Sequence, residues 1–120
     1  MKAKDAVMAF QNGERLKSEL MLLSHLITVC SSLKGEQRVG ARLIIDQCIS
    51  SIGLDLSQAS RDCDEERAEF DQTRTALDQV SIYLDQGEME QAIEQIGCAM
   101  SAATTIASRG WQNLVQYGYL

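Results

Sequence analysis

"LKSELMLLSHLITVC", residues 16 to 30, carries the pattern that decides the fold class. Leu16, Leu20, Leu23, Ile27 and Cys30 recur at alternating spacings of four and three. An α-helix gathers residues at that spacing into one stripe facing a partner helix. Lys17, Glu19, Ser24 and Ser31 fall off the stripe. A half-buried strand would instead place apolar residues at every second position. Upstream, Val7 and Phe10 extend the helix to about Ala3 with Gly13 inside it, or else Asn12 caps a fresh start at Gly13. Downstream, Gly35 ends the helix in the usual C-terminal manner.

The same period organises the rest of the chain. From about Glu36 to Ile52, a second helix is predicted with a wide apolar face: Val39, Leu43, Ile44, Ile45, Cys48, Ile49 and Ile52. Such breadth implies burial on two sides. Gly53 breaks it, and Asp55 and Ser57 offer caps for a third helix over about Ser57 to Gln86. The third stripe reads Ala59, Cys63, Glu66, Phe70, Thr73, Leu77, Val80 and Leu84, with Glu66 and Thr73 diluting its first half. Gly87 turns the chain into a fourth helix striped by Met89, Ala92, Ile93, Ile96, Ala99, Met100, Ala103, Ile106 and Ala107. Its many small residues let helix axes approach closely.

At 1.5 Å per residue, the third and fourth helices span roughly 45 Å and the second about 25 Å. The first matches the long ones when it begins near Ala3. The short loops at Lys34-Gly35 and Gln86-Gly87 require antiparallel neighbours. The expected fold is therefore all-α, an antiparallel up-down helical bundle of about four helices, three long and one short, in a single domain over residues 1–120. The chain contains no proline, and 45% hydrophobic residues with only 5% aromatic imply an aliphatic core.

Charge narrows the partners. A net charge of −6 disfavours nucleic acid and anionic membrane, whose affinity comes from Lys and Arg neutralising phosphate. The first ten residues lack the apolar segment of a signal peptide, and Leu20–Val29 is too short to span a bilayer. A cytoplasmic protein with a protein partner, most simply a homodimer, is expected. Of the four cysteines, Cys30, Cys48 and Cys98 are expected on buried apolar faces. Cys63, in the polar run "RDCDEER", is expected to be exposed.

Two short segments resemble known families. Leu33-Lys34-Gly35 followed by Gly40-Ala41 resembles the H-x-L-K-G phosphorylation segment of histidine phosphotransfer domains, over about a tenth of the chain. Ser31 stands where the phosphoryl-accepting imidazole would be, and the single histidine, His25, lies six residues earlier. The resemblance thus implies an inactive or divergent signalling domain. "YLDQGEMEQAIEQIGCAM", residues 83–100, resembles the hinge of a tetratricopeptide repeat. No second copy follows at the repeat spacing, so it reads as one αα-hairpin.

No catalytic or cofactor signature is written locally. There is no H-E-x-x-H, nucleophile elbow, P-loop or dinucleotide fingerprint. "DCDEERAEFD", residues 62–71, holds six acids, which helical spacing points several ways as a solvated face. No enzyme activity, metal or cofactor is expected. The last ten residues hold three of the six aromatics. Trp111, Leu114, Val115, Tyr117 and Tyr119 are therefore the candidate interface, unless the tail only closes the end of the core. The functional expectation is a non-enzymatic protein–protein interaction module: an adaptor, small chaperone or regulatory subunit.

Overall fold

The computed structural model describes residues 2–118. Four helices follow one another: α1 (Ala3–Ser31), α2 (Gly35–Asp62), α3 (Arg67–Asp85) and α4 (Met89–Gln116), with a 3₁₀ turn at Asp64–Glu66 between α2 and α3. No strand occurs among the described residues. The helices form an antiparallel up-down bundle, a rod of 54 × 22 × 19 Å. Each helix packs against the next, and α1 closes the ring on α4.

Three helices are long and one is short, but the short one is α3. The 19 residues of α3 contrast with the 28 of α2, which passes straight through Gly53. An interior glycine costs a helix about 1 kcal/mol. Burial of Ile52 and Leu56 on either side of it contributes about 1.5–3 kcal/mol each, which outweighs that cost. The potential caps do not act as caps. Ser57 Oγ donates 3.1 Å back to the Gly53 carbonyl and accepts 2.9 Å from Arg74 Nη2 of α3.

The chain turns instead at Cys63, where φ is −135° and ψ 87°. Charge order explains the corner. Arg61 lies in the last turn of α2, and Asp64, Glu65 and Glu66 open the next segment. Cations suit the negative end of a helix dipole and anions the positive end, so a continuous helix would waste both preferences. The α3–α4 turn follows its glycine. Gly87 has φ +74°, Glu88 N–H donates 2.8 Å to Tyr83 C=O, and Gly87 N–H donates 3.1 Å to Leu84 C=O. That is a Schellman motif, which satisfies the orphan carbonyls of α3.

The core is aliphatic around Leu16, Leu20, Leu23 and Ile27 of α1, with Ile96 and Ile106 of α4. Every residue of the third stripe is buried, including Glu66 and Thr73, although the chain turns within it. The tightest contact joins α1 to α4. A Cβ on Gly13 would lie 2.6 Å from the Ala107 backbone nitrogen. One on Gly110 would lie 2.6 Å from both the Ala6 carbonyl oxygen and the Phe10 nitrogen. Reciprocal glycines among alanines let the two backbones touch.

The cysteines depart from expectation. Cys63 is buried and Cys98 is exposed, while Cys30 is buried and Cys48 half-buried. Cys63 sits at the inside of the corner, where Asn12 Nδ2 of α1 approaches its sulfur at 4.0 Å. Cys98 lies on the outer edge of α4, beside a stripe already filled by Ala99 and Ile96.

Candidate functional site

The expected double burial of α2 does not occur. Among its described side chains only Ile45, Ile52, Leu56 and Ala59 are fully buried. Leu54 is 74% exposed, Val39 64% and Leu43 63%, and Ile44 is exposed beside them. Val39, Leu43, Gln47, Ser50 and Leu54 lie within about 80° of the helix surface at 100° per residue. No charged residue interrupts that stripe. Between Val39 and Leu54 the charged residues of α2 lie off it, while Glu36 and Arg61 stand in line beyond its two ends. Arg42 Nε, for example, holds Asp46 at 2.9 Å, while its Nη2 reaches Asp85 of α3 at 2.6 Å.

The open face continues onto α1. Leu22, Leu26 and Val29 repeat the spacing of four and three about 110° around the helix from the core stripe, and Leu33 follows just after the helix ends. Leu22 and Val29 are exposed. Leu26, Val29 and Leu33 line an apolar groove of about 470 Å³ together with Gly40, Ala41 and Ile44, with Gln37 at its polar edge. Together these side chains are the candidate contact surface.

Beneath this surface the α1–α2 contact carries a carboxyl pair. Burial, a hydrogen bond with Asp55 and the Asp55 charge push Glu19 up to about 7, against the opposing pull of Arg15 at 3.9 Å. Burial and the Glu19 charge also raise the Cys48 thiol. A second buried acid, Glu66, is only 1% exposed, which corrects the expectation that its run is a solvated face. Burial raises its carboxyl, and Arg109 Nη1 at 3.9 Å opposes this. The hydrogen bond from Arg109 Nη2 at 2.7 Å holds Glu69 below the usual carboxylate range. Glu66 Oε1 and Glu69 Oε2 are buried without a hydrogen-bond partner. Among the described residues, no group of three or more His, Cys, Asp or Glu side chains is placed to hold a metal.

The C-terminal candidates divide. Arg109 bonds Glu69 near the start of α3, and Asn12 meets Cys63 at the corner, so the end of α4 and the start of α1 extend past α2 and α3. On that two-helix end Trp111 lies against Phe10, ring centroids 5.6 Å apart and tilted by 43°. Leu114 is 8% exposed and turns inward, whereas Val115 and Tyr117 stay exposed. Tyr119 lies outside the described residues. The α1–α2 surface is the larger apolar face and was not singled out by sequence reasoning. Its signal was the excess breadth of the second helix's apolar pattern.

Ser31, at the place of a phosphoryl acceptor, donates its hydroxyl to Thr28 C=O at 2.6 Å, and His25 is exposed on α1. Among the described residues no helix is long and apolar enough to cross a membrane. Compared with known proteins, the chain matches no family model, no curated protein and no solved structure.

Proposed function

We propose that this chain is a non-enzymatic protein–protein interaction module, an adaptor, small chaperone or regulatory subunit of the cytosol, and that it presents the outer face of its α1–α2 hairpin to a protein. The observation that carries this reading is the uncharged stripe of Val39, Leu43 and Leu54 running into the groove between Leu26 and Ile44. Exposing these side chains forfeits about 1.5–3 kcal/mol each that burial would return. A protein surface of matching shape returns it. The net charge of −6 turns nucleic acid and anionic membrane away.

The test uses the full chain and its L43K variant as baits in native lysate. Circular dichroism serves as the fold control, since Leu43 contributes nothing to the buried core. Partners should be captured by the wild type and lost from L43K at unchanged helicity. Identical captured proteins from both baits would remove the α1–α2 face from the reading. The phosphotransfer-like alternative is weakened by Ser31, whose hydroxyl is turned back onto its own helix. Phosphoryl uptake from a phosphorylated response regulator would revive it.

A further inference from the structure

We infer that the protein covering α2 is a second copy of this chain, packed antiparallel about a two-fold axis near Gln47. The inference rests on the interaction reading above and names its partner. Val39 and Leu54 stand at equal distances from the midpoint of residues 46 and 47, about 11 Å to either side. An antiparallel copy therefore sets Leu54 of one protomer against Val39 and Gly40 of the other, and the same contact forms again across the axis. A knob and its hollow on one helix satisfy the self-complementarity that a two-fold interface requires.

The hollow is present. A Cβ built on Gly40 would meet nothing within 4 Å, and the groove of about 470 Å³ opens beside it. Leu54, the most exposed large aliphatic among the described residues, is the matching knob. Gln47 at the axis faces its own copy, where two amides can hydrogen-bond each other and fix the register.

Area favours self-pairing. Leu22, Val29, Val39, Leu43, Ile44 and Leu54 each keep more than half of their surface exposed. Together they offer roughly 600 Å² per copy, or about 1,200 Å² across a pair, which reaches the range of specific interfaces. A basic partner would call for an acidic rim. The nearest charged flank is instead mixed, with Arg42 paired to both Asp46 and Asp85.

Sedimentation of the full chain over a range of micromolar concentrations tests this. The wild type should sediment at twice 13.3 kDa. L54K and G40K should each sediment as monomers with unchanged helicity. At dilutions where neither chain dimerises, G40K should melt no lower than the wild type, because replacing an open helical glycine removes backbone entropy from the unfolded chain. G53A, on the other flank of α2, should remain dimeric. For register, Q47C should oxidise to a covalent dimer and Q58C should not, both in a C98S background, because position 58 lies roughly 17 Å from the axis along the helix. A monomeric wild type, or dimers that survive both L54K and G40K, overturns the inference. Cross-linking at 58 in place of 47 overturns the two-fold axis. Should the wild type be monomeric while L43K still loses a captured protein, the interaction reading stands and the second copy is replaced by that protein.

Discussion

The α1–α4 seam and α2 are built from opposite materials. Along the seam, Ala6, Ala9, Gly13, Ala103, Ala107 and Gly110 remove side chains so that two backbones touch. Nine residues of α4 are buried, most of them alanine or glycine. Along α2 the large aliphatics are present, but half of them stay more than half exposed. Amount of apolar side chain is therefore a poor guide to which helix is held most firmly. Dispersion and burial require contact, and the small residues create it while the large ones on α2 wait for a partner.

Breaking the seam should have the largest effect. Gly110→Val places new atoms where Ala6 and Phe10 backbone already sits at 2.6 Å, so α1 and α4 must separate. A loss of about 3 kcal/mol in chemical denaturation is expected, at the upper end of overpacking effects. A loss below about 1 kcal/mol would show that the seam yields easily and would erase the contrast.

The α1–α2 contact should respond to pH. Glu19 is raised to about 7 in the folded chain, above its ordinary value near 4.5. The folded state therefore keeps a proton that the unfolded state has released, and stability falls as pH rises from about 4.5 to about 7. Burial sets this shift first, the hydrogen bond and charge of Asp55 add to it, and Arg15 opposes it. Glu19→Gln should flatten that part of the stability profile and gain about 1 kcal/mol above pH 7, allowing for partial exposure of the site. Parallel profiles for wild type and variant would remove Glu19 as the cause.

The smallest effect should be a gain. Gly53→Ala meets open space within α2, so helix propensity alone decides the sign, and a stabilisation of about 0.5–1 kcal/mol is expected in thermal melts. Replacing a glycine should thus damage the seam and improve α2. A loss at Gly53 would mean that α2 needs its glycine, and the two regions would differ less than their contacts indicate.

The bundle was legible because its stripes are long. Leu16 to Cys30, and Met89 to Ala107, show the period over several turns, and Gly87 marks its turn because glycine adopts φ +74° without a Cβ penalty. The α2–α3 corner was not legible from period. Ala59, Cys63, Glu66 and Phe70 stay buried on both sides of it, so the stripe runs through the turn without a change of phase. Gly53 drew the break toward itself by propensity, and tertiary burial of Ile52 and Leu56 overrode it. Charge order around Cys63 held the better signal.

The same division applies to the candidate site. Trp111, Leu114, Val115 and Tyr117 were visible as an aromatic tail, but composition cannot say that Leu114 turns inward while Val115 does not. The sequence by itself determined the helical class, the four-helix order and the antiparallel connections, because these depend on local spacing and short loops. Only the tertiary structure decided which side of α2 lacks a neighbour, where the chain turns near Cys63, and which acid, Glu66, enters the interior. Those outcomes depend on the level at which four rods of unequal length meet, and no single helix carries that information in its own period.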